Sequence, residues 1–292
     1  MFRNNTENEL NLPNGKFQFW RYFVITVLVI GITLVTQLLL IFIASLIEGN
    51  FDVLNFSPTM LLWVTMLPFA VLLIFLLIAI RVLHQQSIQS IFTQKAVFDK
   101  NLFIKSFFLW FFLSAIADII LAMIQPGNYS FTFSGKLFFP YMIIAVGLIL
   151  MQISAEEILF RHYLLHGFFR LFRIRWVAII AQALLFGLLH GANPEVSTYG
   201  LLTTMPFYIG IGLILGWFTF QSKGLEIAIG LHLANNIYAT AMVTFEGSAI
   251  PSPALFTIKQ YQPEIGLIVF LLSAIIFGFV MIPNVFKSIN TV

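Results

Sequence analysis

Three short polar patterns interrupt an otherwise apolar chain. Glu156, Glu157 and Arg161 stand in the stretch Ser154-Ala-Glu-Glu-Ile-Leu-Phe-Arg-His162. Phe186 and His190 follow, and His232 and Asn236 come last. Each pattern holds one pair at i and i+4, which puts two side chains on one helix face. Glu157 can therefore neutralise Arg161. Glu156 lies about 140° round the helix from Arg161 and is left as a free carboxylate turned toward another helix. Phe186 would lie beneath the His190 imidazole. A carboxylate facing a histidine in a water-accessible pocket is a general base. It can deprotonate a water that attacks a peptide carbonyl. His232 and Asn236 are hydrogen-bond donors suited to a tetrahedral oxyanion, and one such donor is worth about 3–4 kcal/mol. Taken singly, each pattern has a plainer reading: a structural ion pair, a core aromatic, a packed polar group. Their convergence at one depth favours chemistry.

Such residues need helices to hold them. Hydrophobic residues make up 60% of the 292 and charged residues 9%, whereas soluble domains are about 25% charged. The composition implies an all-α, multi-pass transmembrane bundle. A charge near the bilayer core costs a few kcal/mol, so the charges placed there are paired or functional. The basic residues behind the net charge of +3 do not cluster on a soluble domain, and no binding motif is present, which argues against a nucleic-acid partner. The chain has no cysteine. That excludes disulfides, thiolate metal sites and cysteine nucleophiles. The 34 phenylalanines read as lipid-facing and packing residues.

Eight spans are expected: Tyr22–Ile47, Met60–Ile80, Leu102–Ile124, Leu137–Phe172, Trp176–His190, Leu201–Phe220, Leu225–Phe245 and Glu264–Ile282. Residues 1–20 form a polar tail, 21–286 a single membrane domain with its motif core at 138–245, and 287–292 a short tail. The first apolar run is too long for a signal-peptide core and reads as a span. The polar stretch Arg81–Asn101 reads as a short interfacial helix or loop. With the N-terminus inside, only Lys136 and Lys259 of the 15 basic residues fall outside. That bias puts both termini in the cytoplasm.

The fourth span would run about 54 Å, against a hydrocarbon core of about 30 Å, so it must project, tilt or break. With the following turn centred on Arg173, Glu156 and His190 each lie about 25 Å up their helices and can face each other. In the hairpin centred on Lys223, His232 and Asn236 sit about 14 and 20 Å up. All four can meet in one cavity opening to the cytoplasm. Elsewhere, Asp118 reads as structural and Lys105 as snorkelling to the interface. Glu226 is suited to a helix N-terminus, and Gly224 to a helix C-cap. His162 and His166 read as interfacial. Gly210, Gly212 and Gly216 form a small-residue packing face.

Taken together, Glu156-Glu157-x-x-x-Arg161, Phe186-x-x-x-His190 and His232-x-x-x-Asn236 on three successive spans resemble the motifs of the CAAX prenyl protease and bacteriocin-processing family (CPBP, or Abi). That family contains the type II CAAX prenyl endopeptidases. The resemblance implies an eight-helix intramembrane endopeptidase. It makes Glu156 the water-activating base and His190 its partner. His232 and Asn236 become oxyanion donors, and Glu157, Arg161 and Phe186 take supporting roles. The partners implied are the lipid bilayer and a peptide or protein substrate, membrane-associated or prenylated. In a bacterium the place implied is the plasma membrane. The preferred mechanism requires no cofactor. A metal-dependent version would have Glu156, His190 and His232 hold a divalent ion such as zinc, although no His-Glu-x-x-His motif supports it. Two other readings use the same residues differently: a proton-coupled transporter, and a non-catalytic immunity or scaffold protein.

Overall fold

The computed structural model describes residues 15–290. Most of the expected polar tail, including Arg3, lies outside the described residues. Among them, seven helices are long and apolar enough to cross a membrane. The protein is a multi-pass helical membrane bundle.

Helix α1 spans Phe19–Glu48 and stops where Gly49 turns left-handed at φ +66°, a conformation glycine adopts without cost. Helix α2, Pro58–Ala79, starts at Ser57, whose hydroxyl accepts from the Met60 N–H. It runs on through a π turn, Ile80–His84. A short helix α3, Ile88–Phe92, sits within the polar stretch. Helix α4, Lys100–Ile124, is capped by Asp99, which accepts from the Asn101 and Leu102 amides. After strand β1 (Tyr129–Phe131) come α5, Gly135–Glu157, a π turn at Ile158–Leu164 and α6, Leu165–Phe172. Helix α7 is Arg175–Leu189, α8 Pro194–Tyr199 and α9 Leu201–Ser222. Helix α10, Glu226–Ala241, follows, then β2 (Val243–Phe245), β3 (Phe256–Ile258) and α11 (Pro263–Asn290).

The expected seventh span, Leu225–Phe245, is not a helix of that length. Its helical part, α10, has 16 residues, or about 24 Å, against a core of about 30 Å. Its last three residues form β2. No residue of α10 is exposed. The bundle therefore wraps seven long helices around a short central one. Helix α10 packs most extensively on α4 and also meets α5 and α9. Its polar residues explain the difference, because His232, Asn235 and Asn236 would be costly against lipid.

The three strands form a small sheet in the order β1-β3-β2, which the sequence did not announce. Strand β3 pairs antiparallel with β1 and parallel with β2. Asp118 on α4 accepts from Tyr129 of β1 at 2.7 Å and Tyr238 of α10 at 2.8 Å. Its structural reading holds, since it ties the sheet to two helices.

The glycine face of α9 holds for Gly212 and Gly216, which meet α7, whereas Gly210 meets Phe270 of α11. A Cβ on Gly212 would come within 3.0 Å of the Ala183 Cα on α7. The turn after α9 differs from expectation. Lys223, not Gly224, takes the left-handed conformation. Gly224 is small because a Cβ there would meet Thr93 Oγ1 at 2.9 Å and run into Glu226. Glu226 is buried and pairs with Lys95 at 3.1 Å. It also accepts from the Asp99 amide, so it holds the polar stretch against the start of α10.

Candidate active site

The long helix carries Glu156 and Glu157 at the end of α5, directly before the π turn. Helical structure is unbroken from Gly135 to Phe172. Its pitch changes only after the glutamates. Such π segments are rare and often mark functional sites.

Arg161 Nη1 lies 3.2 Å from Glu157 Oε1, and both side chains are fully buried. The guanidinium lies over the Phe186 ring at 4.3 Å. Phe186 thus meets the arginine as well as the imidazole expected above it. This is the pair the i, i+4 spacing implies. It is an ion contact and not an aligned hydrogen bond, since the three guanidinium nitrogens have no hydrogen-bond partner among the described residues.

The same Glu157 oxygen also accepts from His232 Nδ1 at 2.7 Å. On its other side, His232 Nε2 lies 3.8 Å from Glu156 Oε2, beyond direct hydrogen-bond reach. His232 therefore stands between the two carboxylates. Helical spacing gives Glu157 one partner, Arg161, and the fold adds a second. The second comes from α10, whose rotation about its own axis no local pattern in the sequence fixes.

His190 begins a tight turn at the end of α7. Its Nδ1 bonds the Phe186 carbonyl at 2.7 Å. A carbonyl only accepts, so Nδ1 carries the hydrogen and Nε2 is left with a lone pair in the neutral ring. The ring is sandwiched by Phe186 at 4.2 Å and Tyr208 at 4.5 Å. Among the described residues, the ion-pair partner of Glu156 is His232 and not His190. Asn236 is less open than expected. Its Nδ2 donates to Gln152 Oε1 at 3.1 Å, and Gln152 Nε2 donates to Glu156 Oε1 at 2.6 Å.

Several participants were missed. Gln152 stands four residues before Glu156 on the same face, a spacing that could have revealed it. Tyr208 accepts from Asn193 Nδ2 at 2.9 Å. Glu195, outside the spans, accepts from the Ala249 amide at 2.9 Å and lies beside Tyr208. Burial raises the Glu195 pKa above the usual carboxylate value, against hydrogen bonds that lower it. No spacing links these residues to His190.

His162 and His166 are buried inside the protein. They are 5% and 6% exposed because the Arg81–Asn101 stretch folds over them. His162 Nε2 meets Gln86 Oε1 at 2.7 Å and His166 Nε2 meets Gln94 at 3.2 Å. With His84 they line a cavity of about 10 Å³, the size of one water.

Two imidazoles and a carboxylate suit a divalent metal chemically. Among the described residues, no three His, Asp or Glu side chains gather at metal-ligand spacing.

Residues 136–238 match the family model described as type II CAAX prenyl endopeptidase Rce1-like. That stretch runs from the start of α5 into α10 and contains Glu156, Glu157, Arg161, Phe186, His190, His232 and Asn236. An uncharacterized protein of Bacillus subtilis (strain 168), YyaK, is 26% identical over 260 residues, covering 85% of this chain and 86% of that protein. No solved structure matches. The chain is thus an integral multi-pass membrane protein that is similar over residues 136–238 to the type II CAAX prenyl endopeptidase Rce1-like family, and it has a bacterial relative.

Proposed function

We propose that this protein is an intramembrane endopeptidase that hydrolyses a peptide bond with a water activated by Glu156. One observation carries the reading. Glu156 Oε2 is buried without a hydrogen bond among the described residues, and it faces His232 Nε2 across 3.8 Å. A buried carboxylate oxygen with spare capacity, next to an imidazole, is a base with a place for its substrate.

The roles follow from the atoms. Two carboxylates and one guanidinium leave one negative charge unmatched. His232 touches both carboxylates and balances that charge when it carries a proton on each nitrogen. The attacking water donates one hydrogen to Glu156 Oε2 and the other to the lone pair of His190 Nε2. As the water oxygen bonds to the carbonyl carbon, Glu156 takes its proton. The carbonyl oxygen becomes an oxyanion and receives hydrogen bonds from His232 Nε2–H and the second N–H of Asn236. Glu156 then passes the proton to the leaving amine as the C–N bond breaks. Glu157 and Arg161 hold His232 and its charge, and Phe186 supports Arg161 and His190.

The substrate is a peptide or protein reached at or within the bilayer. Prenylated CAAX proteins are the class the family match favours, and bacteriocin-type peptides the class the motif resemblance adds. The basic bias of the loops orients the site toward the cytoplasm. Membrane proteomics of cells carrying wild type or Glu156→Ala tests the reading. Uncleaved chains are expected to accumulate with Glu156→Ala while the variant still folds and inserts. Full biological activity from that variant would make the protein a scaffold. Repeating the cleavage assay after chelation decides the metal question.

A further inference from the structure

A directed chain of side-chain hydrogen bonds leads into Glu156 from the far side of α10. Trp110 Nε1 on α4 donates to Asn235 Oδ1 at 3.3 Å. Asn235 Nδ2 donates to Asn236 Oδ1 at 3.1 Å. Asn236 Nδ2 donates to Gln152 Oε1 at 3.1 Å. Gln152 Nε2 donates to Glu156 Oε1 at 2.6 Å. The oxygen and nitrogen of an amide side chain are distinguished only by their hydrogen-bond network. Here both ends fix them. An indole N–H can only donate, and an ionised carboxylate can only accept. Each of the three amides between them therefore has one orientation that satisfies its neighbours.

We infer that Gln152 is the positioning residue for Glu156, oriented by the Trp110–Asn235–Asn236 relay. This inference rests on the hydrolytic reading above and adds an account of which carboxylate oxygen reacts. Gln152 is 6% exposed and lies one turn before Glu156. Its N–H occupies Oε1 and locks the carboxylate rotation. Oε2 is left as the oxygen that takes the proton. Trp110 is 3% exposed and packs edge-on against Phe270 and Phe277, so the donor end is anchored by the bundle. Asn236 then has two tasks. One N–H orients Gln152, and the other is free for the oxyanion. Hydrogen bonds in such chains polarise and strengthen one another, which gives the remote Trp110 an effect at Glu156.

The test uses the full chain in lipid nanodiscs. Infrared difference spectra, with the Glu156→Gln spectrum subtracted, isolate the Glu156 carboxylate stretch. Cleavage is followed on a reporter peptide spanning a site found by the proteomics. Gln152→Leu is expected to shift the carboxylate band to that of a carboxylate with one fewer hydrogen bond. It should lower kcat about 10- to 100-fold, the usual cost of losing an orienting partner, with KM unchanged. Trp110→Phe keeps the ring and removes only the N–H, so it should shift the band in the same direction and lower kcat roughly 3-fold. Thr219→Val, at a buried hydroxyl bonded to Leu215 O on α9, should change neither. A Gln152→Leu band and kcat identical to wild type, with Glu156→Ala inactive, would overturn the inference and leave the hydrolytic reading intact. Band shifts in a protein that cleaves nothing would support the positioning and remove the hydrolytic reading. If Gln152→Leu does not fold, an unmoved band in Trp110→Phe overturns the inference alone.

Discussion

Two buried polar clusters lie on consecutive residues of one helix, and they are built differently. Glu156 to Arg161 form the first, with His232 from α10. His162 and His166 belong to the second, with His84 from the π turn after α2. In the second, the histidines bond within the protein, although Gln94 Oε1 beside them has no hydrogen-bond partner among the described residues. His84 uses both ring nitrogens, on Lys16 O and the Tyr163 hydroxyl. His166 uses both, on His162 O and Gln94. His162 spends Nε2 on Gln86. In the first cluster Glu156 Oε2, Glu157 Oε2 and all three Arg161 nitrogens have no hydrogen-bond partner among the described residues. Buried polar groups are nearly always satisfied, and those that are not call for a reason. Residue type does not separate the clusters, because both hold histidines. The groups left over do: carboxylate and guanidinium atoms in the first, the Gln94 amide oxygen in the second, and on the proposed function only the first serves a reacting group.

The largest effect that probes this contrast is at Glu157. Glu157→Gln leaves Arg161 buried without its counter-charge, a loss of about 3–5 kcal/mol for a broken buried pair. Pairing it with Arg161→Met removes both charges and should restore most of that stability. Cleavage should still stay about 10- to 100-fold down, because His232 loses the carboxylate that orients it. Thermal unfolding together with reporter cleavage checks both. A double variant that regains full activity would reduce Glu157 to a charge partner of Arg161.

His162→Leu is the mirror test and a smaller one. It strands the Gln86 amide in the interior, which costs about 1–3 kcal/mol, and it should leave kcat near wild type once the folded fraction is counted. A loss of cleavage comparable to that of Glu156→Ala, in protein that remains folded, would break the distinction between the clusters.

What was legible in the sequence follows from how local each feature is. The Glu157–Arg161 and Phe186–His190 contacts depend only on helix periodicity, and both are present. The long helices were legible as apolar runs. The length of α10 was not, because the strand Val243–Phe245 is apolar enough to extend the run. The bridging of both glutamates by His232 depends on how α10 is rotated against α5, which is set by packing on α4 and α9. The burial of His162 and His166 depends on Gln86 and Gln94 folding back from a stretch that reads as interfacial. Gln152 was within reach of the same periodicity that paired Glu157 with Arg161.

The smallest expected effect is at Glu195, which belongs to neither cluster but touches the first through Tyr208 and His190. Burial is the largest influence on Glu195 and raises its pKa. A carboxyl group with a raised folded-state value favours its protonated form in the fold. Its contribution to stability is complete below the ordinary carboxylate value and is lost as pH rises through the raised one. Glutamine copies the protonated form and keeps an oxygen to accept the Ala249 amide. Glu195→Gln should therefore match wild type in acid and exceed it by about 2 °C in Tm at about pH 8. Its kcat should stay near wild type, since the group bears on His190 only through the Tyr208 ring. A Glu195→Gln protein that melts lower than wild type at about pH 8 would mean that the ionised carboxylate is itself what the loop is built around.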